Sequence, residues 1–391
     1  MLPIRVSLRF AALVTIGCGG PPPPATAPVP ICGTVPCHWE QLASAVDSAV
    51  GAGAAPGAVV GVSVGGARFY HGAGQLGVDQ PRPIDEHTVY DLASLTKVIA
   101  LTTLTMMAVD EGRIHLDDPV EGYLPGFVGD HKAGVTIRHL LTHSSGLRAH
   151  RPLWQEAANR DSALALVLRT PLDTVPGVRM VYSDLGAITL TQIIEKVYHQ
   201  PVDRLFERRV AKPLGLVDTR FHPPAAWLKR IAPTEHDPWR GRILQGEVHD
   251  ENAAFLGGVS GHAGLFSTAE DLLRFGEWLL AVRTGRAKGT WGPRLGTAVV
   301  REFTRRQDLV PGSSRALGWD TPSPGSSAGT RLSAESFGHT GFTGTSIWVD
   351  PTRRLVVVLL SNRVNPSRDN ARLGPLRGLV ADRVVSTLDQ R

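Results

Sequence analysis

The sequence predicts an α/β fold of the α+β kind, with one sheet completed by distant segments and a helical subdomain inserted between them. Two hairpin signals carry the prediction. Ala58 to Val64 turns through Gly65-Gly66 into Ala67 to Tyr70, and Thr345 to Val349 and Leu355 to Leu360 flank Asp350-Pro351. The third observation is the stretch between them, mostly helical and loop-like from about residue 105 to 250.

The first segment is not part of that fold. Arg5 and Arg9 precede a short apolar core, Phe10 to Ile16, and then Gly17-Cys18. This reads as an export signal, too short to span a bilayer. A small residue followed by cysteine resembles a bacterial lipobox, which would lipidate Cys18; Thr15 departs from the usual aliphatic residue, so cleavage with plain secretion stays open. The expected location is the periplasm or cell envelope, with a lipid anchor at Cys18 as the sole membrane contact. Residues 19–37 hold a Pro-rich spacer, Pro21 to Pro30, which cannot pack a core. Cys32 and Cys37 suggest a small disulfide loop in an exported protein. The folded domain is then expected over residues 38–391.

Within it, His38 to Val50 reads as a helix with Leu42, Val46 and Val50 on one side, broken at Pro56-Gly57. An apolar run follows Ser94, with Leu101, Leu104 and Ala108 at helical spacing and Gly112 as its stop. Further helices are expected at Thr136 to His143, Ser162 to Leu168, Ala187 to Val197, Asp271 to Val282 and Leu376 to Leu388. The hydrophobic fraction of 42% permits a large core. The net charge is only +5, the 41 basic residues are dispersed, and the Arg-rich patches lack interleaved aromatics. No nucleic-acid partner is therefore expected.

The chemistry centres on Ser94-Leu95-Thr96-Lys97. Positions i and i+3 share a helix face, so the Lys97 amine can reach the Ser94 hydroxyl. A serine is a weak nucleophile until a neighbour takes its proton, and a lysine can do so once burial lowers its pKa. By itself the spacing equally fits a surface serine beside a solvated lysine. Tyr182-Ser183-Asp184 lies in a loop before the Ala187 helix; Tyr182 either relays a proton or packs, and Asp184 can cap a helix beginning at Leu185. His339-Thr340-Gly341-Phe342 opens the last hairpin, where a glycine admits close backbone approach to an edge strand.

In this order, the three segments match S-x-x-K, Y-x-N and K-T-G. The chain thereby resembles the serine beta-lactamase and penicillin-binding-protein superfamily, and most of all its class C branch, which includes D-alanyl carboxypeptidases and esterases. Leu140 to Leu147 and Gly264 to Leu272 are also similar to that branch. The resemblance implies a beta-lactamase-like fold, a central antiparallel sheet flanked by helices. It implies Ser94 as nucleophile, Lys97 as its base or proton partner, and Tyr182 as the acid/base for the leaving group. The N–H groups of Ser94 and Phe342 would meet the oxyanion, and Asp184, His339, Thr340, Gly341 and Phe342 would contact substrate. Neither a cofactor nor a metal is implied.

Two residues depart from the pattern. Asp184 stands where an amide is expected, favours an ammonium on Lys97 and opposes its use as a neutral base. His339 stands where lysine is expected and, being largely neutral at pH 7, attracts a carboxylate less. Both changes favour a carboxypeptidase, amidase or promiscuous ester hydrolase over an efficient beta-lactamase. The expected substrate is a peptidoglycan-like peptide, a beta-lactam or an ester. The alternatives are a true class C beta-lactamase and an inactive peptidoglycan-binding relative. Gly325-Ser326-Ser327-Ala328-Gly329 matches a nucleophile elbow but lacks its strand and helix. His139 and His143 have the spacing of a zinc helix but lack its glutamate.

Overall fold

Leu355 to Ser361 is a continuous run of apolar, largely β-branched residues, the pattern of a strand covered on both faces. In the computed structural model it is the central strand of a five-stranded antiparallel sheet. The structure describes residues 38–287 and 292–390, together with the strand pairing of Ile31–Cys32 and Val35–Pro36. The expectations for Cys18, the Pro-rich spacer and a Cys32–Cys37 disulfide fall outside the described residues.

The sheet is built from β1 (Gly57–Val64), β2 (Ala67–Gly74), β3 (Phe337–Thr340), β4 (Ser346–Asp350) and β5 (Leu355–Ser361), in the order β3-β4-β5-β1-β2. Chain ends far apart in sequence thus meet at the β5–β1 seam, where Val358 pairs with Gly61. The β1–β2 turn needs two left-handed residues, and Gly65 (φ 60°) and Gly66 (φ 97°) supply them.

Alternation along the strands separates two layers. Val60, Val62, Val357 and Leu359 face helices α1 (Glu40–Gly51) and α5 (Gly374–Asp389), meeting Leu42, Val46, Val380 and Val384. Val59, Val356 and Val358 face the opposite way, into the main core. There they join Leu272, Phe275 and Leu279 of α4 (Ala269–Arg283). The buried residues of α2 (Thr103–Asp110) and α3 (Asp184–Tyr198) belong to the same core. Among the described residues no helix is long and apolar enough to cross a membrane.

The expected elements are present with shifted ends. The Ser94 segment differs most: Ser94 sits in a turn, helical structure begins at Leu95, and Lys97–Thr102 is a π-helical stretch leading into α2. The cap of α3 also differs. Ser183, not Asp184, accepts the Gly186 N–H (3.1 Å), and Asp184 is the first helical residue.

Helix α4 lies so close to the sheet that a Cβ on Gly276 would stand 2.5 Å from Val356 Cγ1. A Gly276→Ala change is therefore expected to destabilise the fold by about 1–3 kcal/mol, as overpacking does. Denaturant melts check this; unchanged stability would mean that the layers part more easily than their packing implies.

Candidate functional site

The turn bearing Ser94 is held from below. Tyr90–Asp91 pairs with Leu265–Ser267, and Leu92 N–H donates to Leu265 O (2.9 Å). The buried Asp91 carboxylate then accepts the N–H groups of Ala93 (2.8 Å) and His249 (2.6 Å). Ala93 is left-handed, with φ 46°, a strained state for alanine that the Asp91 bond helps to hold. The chain leaves this kink with Ser94 facing a cleft and enters the π-helical stretch at Lys97.

Lys97 lies behind Ser94, with only 4% of its side chain exposed. Its Nζ donates to Ser94 Oγ (3.0 Å) and to the His262 carbonyl (3.0 Å), and it is paired with Asp184 Oδ1 at 2.7 Å. Burial disfavours the ammonium, but the adjacent Asp184 carboxylate and Tyr182 together outweigh burial and raise the Lys97 pKa above its ordinary value. The spacing of Ser94 and Lys97 thus gives the expected contact, and the expected effect of Asp184 on Lys97 is present in the geometry.

Tyr182 comes from the loop before α3, which is pinned to the 143–149 segment. Val181 N–H donates to His143 O (2.8 Å), Ser183 N–H to His143 Nδ1 (3.1 Å) and Asp184 N–H to Ala149 O (2.9 Å). The His143 ring packs against Tyr182 with centroids 4.5 Å apart. Burial, followed by nearby Arg315 and Lys97, pushes the His143 pKa well below normal, so it is a neutral support. The Tyr182 ring lies 5.0 Å from Lys97 Nζ, and its hydroxyl is buried without a protein partner.

His339 and Thr340 end β3, the edge strand. His339 Nδ1 lies 2.7 Å from the Thr340 carbonyl, which can only accept, so Nδ1 carries the proton. Nε2 is left as a buried acceptor with no partner. Burial, then Arg315 and Lys97, hold His339 well below the ordinary histidine pKa, in line with the neutral ring expected from the sequence. A Cβ at Gly341 would meet Thr345 Oγ1 at 2.1 Å and Leu92 O at 2.3 Å. The close approach that requires glycine here is therefore to the Ser94 segment itself. Thr343 Oγ1 and Thr345 Oγ1 tighten that junction by donating to Asp91 O (2.7 Å) and Leu92 O (3.0 Å). Among the described residues the backbone N–H groups of Ser94 and Phe342 donate to nothing.

Ser94, Tyr182, Asp184, His339, Thr340, Gly341 and Phe342 line one cleft of about 650 Å³. The sequence motifs thus converge, with Lys97 just beneath. Three lining arginines had no motif to announce them. Arg315 stands 5.2 Å over the Tyr182 ring, with Nε and Nη1 buried and unpartnered. Arg377 donates to Gly341 O (2.6 Å), and burial and then Arg363 push its pKa down to about 10. Arg363 sits 4.6 Å over the Phe342 ring. Among the described residues none of the three has a carboxylate within ion-pair distance. Arg368 differs, being paired with Glu235 and Glu251.

The stretches 247–252 and 261–264 form the opposite wall. His262 bridges Ser260 Oγ (2.7 Å) and Asp250 Oδ1 (2.9 Å). Burial disfavours the Asp250 carboxylate, but His262 outweighs burial and holds it below the usual range. His249 stacks on Phe342 and meets Glu235 Oε1 at 2.9 Å.

The other sequence signals lie elsewhere. His139 Nδ1 accepts the Thr136 N–H (3.1 Å) in a helix cap, away from the use of His143 under Tyr182. The segment 325–329 is a turn whose Ser327 Oγ accepts from Trp348 Nε1 (3.2 Å).

A hydroxyl against an ammonium, two free N–H groups and a phenol in one cleft can perform acyl transfer. The family model described as Beta-lactamase matches residues 42–382. The chain belongs to the beta-lactamase family. It is a serine hydrolase of the beta-lactamase and penicillin-binding-protein type. An Escherichia coli (strain K12) protein named "Putative D-alanyl-D-alanine carboxypeptidase" is 33% identical over 374 residues, covering 84% of this chain and 83% of that protein. The solved structure of a class C beta lactamase from Rhodobacter sphaeroides superposes with TM-score 0.68 at 22% identity, covering 88% of this chain and 99% of that one. A structure described as "EstCE1, a hydrolase with promiscuous acyltransferase activity" gives TM-score 0.70 at 23% identity, with 88% and 98% covered. In this beta-lactamase-family chain the fold expected from the sequence is thus the fold observed.

The wall carrying His249 depends on Glu235. Burial opposes its charge, but bonds from His249 and Arg368 outweigh burial and depress the carboxyl from 4.5 to about 2. A depressed carboxyl adds stability above its unfolded pKa and loses it as pH falls through the folded one. Glu235→Gln is thus expected to melt below the native chain at neutral pH, with the gap closing between about pH 4.5 and about pH 2. Paired melting curves across that range check it.

Proposed function

We propose that the protein is an exported serine hydrolase that forms an acyl-enzyme on Ser94 and acts on D-alanyl-terminated peptides or related amides and esters. The observation that carries this reading is the Lys97–Ser94 contact at the base of a cleft in which Arg315, Arg363 and Arg377 lack acidic partners among the described residues. The carboxypeptidase name of the Escherichia coli relative supports the peptide reading. Export rests on the N-terminal charge and apolar pattern, and anchoring on Cys18.

In this mechanism the terminal carboxylate of the substrate lies against Arg315 and Arg377, which set the scissile carbonyl over Ser94. Ser94 Oγ bonds to the carbonyl carbon, and Lys97 is its proton partner. The oxyanion receives the free N–H groups of Ser94 and Phe342. The C–N or C–O bond then breaks, and Tyr182 gives its proton to the leaving group. Water attacks the ester and returns a proton to Tyr182. His339 offers an acceptor rather than a cation, so the carboxylate falls to the arginines; this also leaves neutral ester substrates acceptable.

Intact-mass analysis after incubation with benzylpenicillin and with a fluorophosphonate tests the nucleophile. The native chain is expected to gain one adduct, and Ser94→Ala none; an adduct that persists in the variant overturns the assignment. The arginines are tested by steady-state kinetics. Arg315→Ala and Arg377→Ala are each expected to raise KM about 10–100-fold for a peptide with a free terminal carboxylate, the size of a lost charged hydrogen bond. Hydrolysis of a neutral ester should change little; equal losses on both substrates would count against a carboxylate subsite.

A further inference from the structure

We propose that Asp184 is a positioning residue that receives, through Lys97, the proton Ser94 loses on acylation. The proposal rests on the serine-hydrolase reading above and assigns Asp184 a task other than contacting substrate.

A donor count leads to it. An ammonium has three N–H bonds and no lone pair. Lys97 Nζ faces three acceptors, Ser94 Oγ at 3.0 Å, His262 O at 3.0 Å and Asp184 Oδ1 at 2.7 Å. All three donors are committed, so the resting nitrogen cannot take the serine proton. The His262 carbonyl is no base, and the His262 ring is engaged by Ser260 and Asp250. His143 Nδ1 accepts the Ser183 N–H, and His339, although its Nε2 is free, makes no hydrogen bond to Lys97 or Ser94 among the described residues. Tyr182 also lies beside Lys97, but its phenol holds the proton that passes to the leaving group, which leaves the Asp184 carboxylate as the acceptor among the described residues. It has no other cation within ion-pair distance among the described residues.

The step balances. As Ser94 Oγ bonds to the acyl carbon, its O–H bond breaks and the proton moves to Lys97 Nζ. At the same time one Lys97 N–H bond breaks, and that proton moves to Asp184 Oδ1. Lys97 remains an ammonium beside the oxyanion, and Asp184 becomes neutral. In deacylation the same protons return, from Asp184 to Lys97 and from Lys97 to Ser94 Oγ, while water supplies the proton to Tyr182. An amide at position 184 cannot play this part. Lys97 would then have to lose a proton to solvent before each attack.

The test is the p-nitrophenol burst from p-nitrophenyl acetate, followed against pH for the native chain, Asp184→Asn and Asp184→Glu. Asp184→Asn is expected to slow acylation about 10²–10³-fold at about pH 6 with KM little changed, the range of a lost acid–base partner. Its acid limb should move up by more than about one pH unit, because a free Lys97 amine must form first. Asp184→Glu should keep the native limb. Native-like acylation and an unmoved limb in the Asn variant overturn the relay while leaving the serine assignment standing. Absence of any Ser94 adduct in the native chain overturns both. Proton inventory of the native burst in mixed light and heavy water needs no variant: a curved plot shows two protons in flight, and a straight one overturns the relay.

Discussion

A buried ammonium organises this protein. Lys97 draws its three acceptors from separate parts of the chain: Ser94 beside it, Asp184 at the start of α3 in the helical insert, and His262 in the loop before α4. Water is nearly excluded, so the charge is tolerated only while those acceptors are in place. Removing one partner of such a buried pair costs roughly 3–5 kcal/mol. The contact therefore ties the start of α3 to the Ser94 turn and to the loop before α4, and the cleft opens beside it.

The sheet supplies the other side of that cleft by backbone contact. Gly341, Thr343 and Thr345 press the end of β3 and its turn against Asp91 and Leu92. The kinked Ala93 then projects Ser94 between the edge strand and the insert. The two unpartnered N–H groups, the orphaned Tyr182 hydroxyl and the unpaired arginines all open into this space. These polar groups are available to a ligand that enters the cleft. Arg315, Arg363 and Arg377 have no carboxylate within ion-pair distance among the described residues, while the opposite wall is internally neutralised through Glu235, Asp250 and their partners.

The parts legible in the sequence are those with a local signature. Short apolar runs bounded by turn residues marked β1, β4 and β5, and glycines marked the β1–β2 turn. The serine, lysine, tyrosine and histidine were legible because their spacing and order form a pattern. Arg315 and Arg377 were not, since nothing local separates them from the 41 dispersed basic residues; only the fold shows which have lost both solvent and counterion. The π-helical stretch at Lys97 was likewise hidden, because its side-chain pattern reads as ordinary helix. Asp184 was visible as a departure, and its consequence for Lys97 followed from charge alone. That Ser183 caps the helix, freeing Asp184 to face Lys97, needed the backbone path. The role of Gly341 was legible only in part: the need for a small residue was clear, but one of the two neighbours that impose it, Leu92, is remote in the sequence.

The charge state of Lys97 decides whether this description holds. Nitrogen-15 NMR of lysine-labelled protein, with Lys97 assigned by its loss in a Lys97→Arg variant, reads that state directly. An ammonium signal that persists without titrating from acid through neutral to mildly alkaline pH is the predicted result. A signal that converts to a neutral amine near neutral pH would contradict the account, because Lys97 would then be a free base and its pairing with Asp184 would not govern the site.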